Sequence, residues 1–343
     1  MNTATNTVTR SLRSIFLAFK AECKKLLARR QMIFFTIGIS LVLAILTALL
    51  LNSYRFSAFA SNIYSSEWSL DSTTWREKLL AYIEEITKDL GNSQNIGKQW
   101  MIDLRANYQW HLDNNIIPYA SRSAAGLLLG SFFVFSIIII ITMIFASKIM
   151  ADEYVNNTII SLYTVPTNRH KILTAKLLTM VVVSIIISLI FYLALIIAGG
   201  LVFGFGSLAS PYLVIQNGVV VSTTPVLLRG LLVLLTYAVT LIFASVAAIM
   251  TSILTKSSTI SIVVSVSLYF VGWFVLSPMF YSGASWLRFT PFINMDFATY
   301  FVDAAARYTY NMSIGFSIGI LCAYMIIMLI ISYLAISKQQ LKA

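Results

Sequence analysis

Charge is scarce in this sequence. Asp, Glu, Lys and Arg make up 11% of its residues, where ordinary soluble domains carry about a quarter. A chain so poor in charge cannot keep a water-exposed surface solvated, which excludes an ordinary soluble fold. Histidine is scarcer still, with only His111 and His170, and there is no HExxH or GxSxG segment. The common zinc-protease and serine-hydrolase arrangements are therefore missing. Cys23 stands in a basic stretch and Cys322 in a late apolar run, so neither a disulfide nor a cysteine metal site is expected. With no nucleophile–base set, no enzymatic activity is expected of this chain.

What is present is apolar: 58% of the residues, gathered in runs of the length needed to cross a bilayer, about 20 residues. The expected fold is an all-α polytopic membrane protein. Six transmembrane helices are read at 32–51, 124–146, three within 177–280 (about 177–200, 227–254 and 260–280) and 312–336. An apparent cleavage site, Ala58-Phe59-Ala60, follows a polar segment and an apolar run too long for a signal peptide. The first run is thus an uncleaved anchor.

The net charge of +11 would point to nucleic acid in a soluble chain. Here topology explains it, since Lys and Arg mark cytoplasmic loops. Seven Lys/Arg precede the first span and four lie in 147–176, which places both termini, 1–31 and 337–343, in the cytoplasm of a cell-membrane protein. No nucleic-acid partner is expected.

Between the spans lie four segments of interest. In 1–31, Leu12, Ile15, Phe16, Phe19, Cys23, Leu26 and Leu27 share one helical face, and Arg13, Lys20 and Lys24 the other. This is the pattern of an amphipathic helix in the membrane interface. Segment 52–123 holds Trp68, Trp75, Trp100 and Trp110 and reads as an extracellular hairpin of two amphipathic helices. The first begins at a capping box, Thr74 to Glu77. Its tryptophans are candidates for extracellular recognition, although a small core or a resting place on the membrane suits them better. The glycines and lysine of 91–99 mimic a phosphate loop, but the spacing is wrong and no strand precedes them. In the fifth span Ser257, Ser261 and Ser265 repeat every four residues; they are candidate pathway-lining groups, with helix packing the commoner use of such a stripe. Gly126/Gly130 and Gly315/Gly319 are likewise packing pairs.

The segment 147–176 is the most ordered of the connections. Asp152 and Glu153 suit the first turn of a short helix, whose dipole favours acidic groups. Ile159, Ile160 and Leu162 are apolar contacts, Pro166 ends the helix, and Arg169, Lys171 and Lys176 precede the third span. The run Glu153, Thr158, Leu162, Pro166, Arg169 and Lys176 resembles the E…T…L…P…R…K pattern of the ATP-binding-cassette type-2 permease family, with Asn157 where many members have Gly. The six spans, the amphipathic N-terminal helix and the loop 281–311, similar to that family's external re-entrant helices, extend the resemblance along the chain. It implies a permease subunit of an ATP-driven exporter working by alternating access. Segment 147–176 would be the coupling helix docking on a separate cytoplasmic ATPase subunit, which would bind ATP and Mg; this chain itself would hold no cofactor and no metal. A second permease subunit, identical or homologous, would complete a pathway lined partly by the second and fifth spans. With no acidic residue or histidine inside the spans, the cargo expected is apolar or amphipathic: a hydrophobic drug, a lipid or a membrane-active peptide. The competing expectation is a membrane sensor or immunity protein that holds an antimicrobial peptide on the Trp-rich segment without transport.

Overall fold

The computed structural model describes residues 13–25, 30–52, 74–92, 98–119, 122–130, 132–156, 169–297, 300 and 312–338. Helix α1 covers 13–25 and α2 covers Arg30–Asn52. A helical hairpin follows, α3 at Trp75–Asn92 and α4 at Lys98–Asp113. Next come α5 at Ala124–Gly130, α6 at Phe132–Val155 and α7 at Arg169–Phe203. A β-hairpin, β1 at Pro211–Gln216 and β2 at Val219–Pro225, precedes α8 at Val226–Thr255. Then α9 at Ser258–Val271 passes through a π-helical turn, Gly272–Leu276, into α10 at Ser277–Tyr281. The one-turn α11, Pro291–Asn294, and the long α12, Ile314–Lys338, complete the order.

Six of these helices are long and apolar enough to cross a membrane: Phe34–Asn52, Phe135–Val155, Arg169–Phe203, Val226–Thr255, Ser258–Phe280 and Ile314–Lys338. The protein is a multi-pass membrane protein. Helix α8 is the hub, packing on α6, α7, α9 and α12. Its span is 67% buried, against 17% for α12 and 22% for the fifth span. Small residues let it sit at the centre: Gly230 lies so close to Leu128 that a Cβ would come within 2.7 Å of the leucine side chain, the close approach on which membrane helices rely.

Two local expectations change. Asp152 and Glu153 do not begin a short helix; they occupy the last turn of α6, which runs on to Val155. Likewise Arg169, Lys171 and Lys176 belong to α7, which starts at Arg169. Both helices outrun the apolar core because packing partners continue past it, and the connection between them shortens to 157–168. The second difference is the β-hairpin. Its Asn217-Gly218 turn has positive φ at both residues, 53° and 78°, the left-handed pair a two-residue hairpin turn requires. The α3–α4 hairpin leans on that turn: Asp103 Oδ1 accepts a hydrogen bond from the Gly218 amide at 2.6 Å.

Candidate functional site

Two polar inclusions interrupt the apolar bundle. The first lies where α1, α6 and α7 meet. The Lys176 side chain is 1% exposed. Its Nζ donates to Glu22 Oε2 at 3.3 Å, to Glu153 Oε1 at 3.2 Å and to the Ile149 carbonyl at 3.0 Å. Lys25 Nζ closes the ring, donating to Glu22 Oε1 at 3.0 Å and Glu153 Oε1 at 3.1 Å. Two ammonium and two carboxylate groups thus neutralise one another, the condition under which buried charge is tolerable. Burial pulls the Lys25 pKa down, but the neighbouring Glu22 and Glu153 carboxylates outweigh it and hold the ammonium above its usual range. Glu153 also sits at the negative end of the α6 dipole, and the two lysines offset that.

The same end carries further ties. Lys171 Nζ donates to Ser14 Oγ at 3.0 Å, binding α7 to α1 again. Thr174 Oγ1 shares a 2.7 Å hydrogen bond with Tyr333 Oη, and the His170 ring lies 5.5 Å from the Tyr333 ring, which joins α7 to α12. Of the coupling pattern, then, Glu153 and Lys176 are joined inside one ion-pair cluster, and Arg169 is the half-buried first residue of α7. Thr158, Leu162 and Pro166 lie outside the described residues.

The second inclusion lies deeper. Segment Ser285–Phe289 forms a 3-10 turn, and α11 follows it back among the spans. Asn294, fully buried, braces this return: Nδ2 donates to the carbonyls of Arg288 and Thr290, each at 2.7 Å, and Oδ1 accepts from Ser317 Oγ at 2.6 Å. Midway along the 30-residue α8, Thr240 Oγ1 donates to the Met295 carbonyl at 2.7 Å. Asp296 therefore comes to the mid-level of α8 although no span contains it. It borders a cavity with Ser136, Phe135, Tyr237, Tyr269 and Trp273. Sequence reasoning, which searched the spans alone for acids, missed this group; the signal was an Asp amid apolar residues in a segment already read as re-entrant.

The serine stripe divides. Ser261 is fully buried and shares hydrogen bonds with Ser147 Oγ, the Ala248 carbonyl and Thr251 Oγ1 at 3.0, 3.0 and 2.9 Å. Ser265 Oγ donates to the Ser261 carbonyl at 2.7 Å, and Ser257 caps α9. Ser261 thus fastens α9 to α6 and α8. Among the described residues, no neighbouring helix comes within 4 Å of where a Cβ would stand on Gly315 or Gly319. Among the tryptophans, Trp75 is buried in the core with Leu79 and Tyr108, and the Arg76 guanidinium stands 5.3 Å over its ring. Trp110 meets His111 edge-on at 5.3 Å. Trp68 and the Trp100 side chain lie outside the described residues.

Residues 100–341 match a family described as a protein of unknown function, DUF2705. The chain belongs to that family. It is 24% identical over 288 residues to the uncharacterized protein YhcI of Bacillus subtilis (strain 168), covering 80% of this chain and 87% of that one. It is also 24% identical over 231 residues to the uncharacterized membrane protein YdbK of the same strain, covering 67% of this chain and 85% of that one. No solved structure matches it. The family match takes in α6, α7 and all the elements of both polar inclusions except α1.

Proposed function

We propose that this chain is the permease subunit of an ATP-driven exporter, with ATP and Mg held by a separate cytoplasmic ATPase subunit and a second permease completing the pathway. The observation that carries the reading is the connection between α6 and α7. Together with the adjoining turns of α6 and α7 it bears the ordered set Glu153, Thr158, Leu162, Pro166, Arg169 and Lys176, and both of its flanks are tied by the ion-pair cluster to α1. A push on 157–168 would then move α1, α6 and α7 together instead of being lost in a slack loop. Helix α6 packs on α8 and α9, so the displacement would reach the centre of the bundle. In this reading 1–31 carries an interfacial helix, 52–123 is an extracellular insertion, both termini are cytoplasmic, and the cargo is amphipathic. Pro166 and Arg169 would shape and bind the docking surface, while Glu153 and Lys176 would transmit from behind it.

The test is co-purification of the chain from its native membrane with an ATPase subunit, followed by hydrolysis measurements on the wild type, Pro166→Ala and Arg169→Ala. The expected result is an ATPase partner whose binding or hydrolysis falls in both variants while the melting temperature of the chain is unchanged. If no ATPase accompanies the chain and neither substitution alters anything, the exporter reading fails and peptide binding by the Trp-rich segment takes its place.

A further inference from the structure

The two faces of α1 are in opposite states. Its inner face is pinned to the bundle: Ser14 Oγ accepts from Lys171 of α7, and Glu22 enters the ion-pair cluster with Lys176. Ile15, Ala18 and Phe19 on the same side are partly buried. The outer face carries Arg13, Lys20 and Lys24, all exposed. At about 100° per residue these three lie within about 40° of one another, and Glu22 falls about 180° from the middle of their stripe. Lys25 is held by two carboxylates, whereas none of these three cations has an ion-pair partner among the described residues.

Charge and shape together say what this face fits. Segments 1–31 and 147–176 hold eleven Lys/Arg and three acids, Glu22, Asp152 and Glu153. Two of those acids are engaged by Lys25 and Lys176, so the outer stripe stands in a surplus of positive charge. Phe16 and Leu17 flank the stripe, one on each side, and both are exposed. The Phe16 ring lies 6.4 Å from that of Phe19, which extends the apolar flank toward the inner face. Large apolar side chains beside a row of cations suit a lipid interface, where the former reach the acyl boundary and the latter extend to the phosphates. The first span follows soon after in the chain and opens with Phe34 and Phe35 exposed, so the lipid-facing surface continues from α1 into α2.

From these observations we infer that the outer face of α1 binds anionic phospholipid. Arg13, Lys20 and Lys24 take the headgroup phosphates, and Phe16 and Leu17 lodge among the upper acyl carbons. A zwitterionic headgroup sets its own ammonium against these cations, so lipids of net negative charge are selected. Because the same helix carries Glu22 into the cluster, lipid held on the outer face clamps α1 against α6 and α7. The junction beside 157–168 thereby becomes sensitive to the charge of the leaflet. The assignment shares with the exporter reading only the position of α1 at the membrane surface, and it needs no ATPase subunit.

The experiment uses the full chain, without any partner, in phosphatidylcholine vesicles containing about one-third phosphatidylglycerol. Spin-labelled phosphatidylglycerol and spin-labelled phosphatidylcholine are compared for the fraction that the protein immobilises. The wild type should prefer the glycerol lipid several-fold, and salt should narrow the preference. Arg13→Gln, Lys20→Gln and Lys24→Gln combined should lose most of it, each cation contributing up to about fivefold. Lys256→Gln, Lys338→Gln and Lys342→Gln combined, which remove the same charge elsewhere, should keep it. Phosphatidylglycerol should raise the melting temperature of the wild type and leave that of the α1 variant unchanged. In Phe16→Trp, the added emission should be quenched by lipid brominated on its upper acyl carbons. Equal association of the two lipids, an equal loss in the control variant, or a tryptophan at position 16 that only aqueous acrylamide quenches would each overturn the assignment. The last result would give the face to a soluble partner. With no ATPase present, none of these outcomes bears on the exporter reading.

Discussion

The ion-pair cluster at the foot of α6 and α7 and the aromatic chamber midway along α8 are both polar intrusions into an apolar bundle, yet they are built on opposite plans. In the first, Lys176, Lys25, Glu22 and Glu153 pair with one another and take in the Ile149 carbonyl as well. In the second, one carboxylate faces hydroxyls and rings, and the Tyr237 hydroxyl has no protein partner among the described residues. The shared charges of the first tie three helices together. In the second, rings and hydroxyls, not a ring of ion pairs, surround the acid.

The sharpest way to break the contrast is Lys176→Met. It removes the buried cation that Glu22 and Glu153 share and leaves the half-exposed Lys25 bridging them, and removing one member of a buried pair costs about 3–5 kcal/mol. Thermal unfolding in detergent should show that loss, and adding Glu22→Gln and Glu153→Gln should recover most of it. If the single variant melts like the wild type, the cluster does not hold the helices. Gly272→Ala attacks the chamber instead, forcing Phe292 off the fifth span at about 1–3 kcal/mol. The melting temperature in detergent should fall accordingly; an unchanged value would show that Phe292 does not press on the fifth span at Gly272.

Smaller effects refine the comparison. Ser261→Ala removes a hydroxyl shared by three neighbours, Ser147, Ala248 and Thr251. An interhelical bond in a membrane is worth about 0.6 to 1.7 kcal/mol, and the melting temperature should fall by a correspondingly modest amount. Should transport collapse while stability holds, the stripe lines a pathway after all. The smallest expected effect lies outside the spans. Burial lowers the His111 pKa from 6.5, partly countered by its 2.9 Å hydrogen bond with the Ile116 carbonyl. Because the folded state then takes up a proton less readily than the unfolded one, the stabilisation is present above 6.5 and is lost as pH falls toward the lowered value. Melting of the α3–α4 hairpin between about pH 7.5 and about pH 5.5 should show a decline that His111→Gln flattens.

Much of the architecture was legible. Six apolar runs became six long helices, although the second run, 124–146, divides into α5 and α6 and crosses as Phe135–Val155, and the third spanning helix begins at Arg169. The amphipathic pair at Trp75–Asn92 and Lys98–Asp113 follows the periodicity of its leucines and isoleucines. The β-hairpin was equally legible and was overlooked: Asn217-Gly218 stands between two β-branched runs, a strong short-range hairpin signal. Glu22 was passed over in a similar way. It falls on the same helical stripe as Ile15 and Phe19, and an acid on an apolar face signals a buried partner. Which partner could not be read, because Lys176 is 154 residues away.

By itself, then, the sequence determined that the chain lives in a membrane, crosses it as six helices and carries amphipathic helices outside the spans. Each of those properties follows from local periodicity and from the cost of unpaired backbone in lipid. The tertiary structure alone decided which charges meet. Pairing depends on distances between residues far apart in the chain, such as Glu22 with Lys176, and no local pattern encodes the depth to which a returning segment carries Asp296.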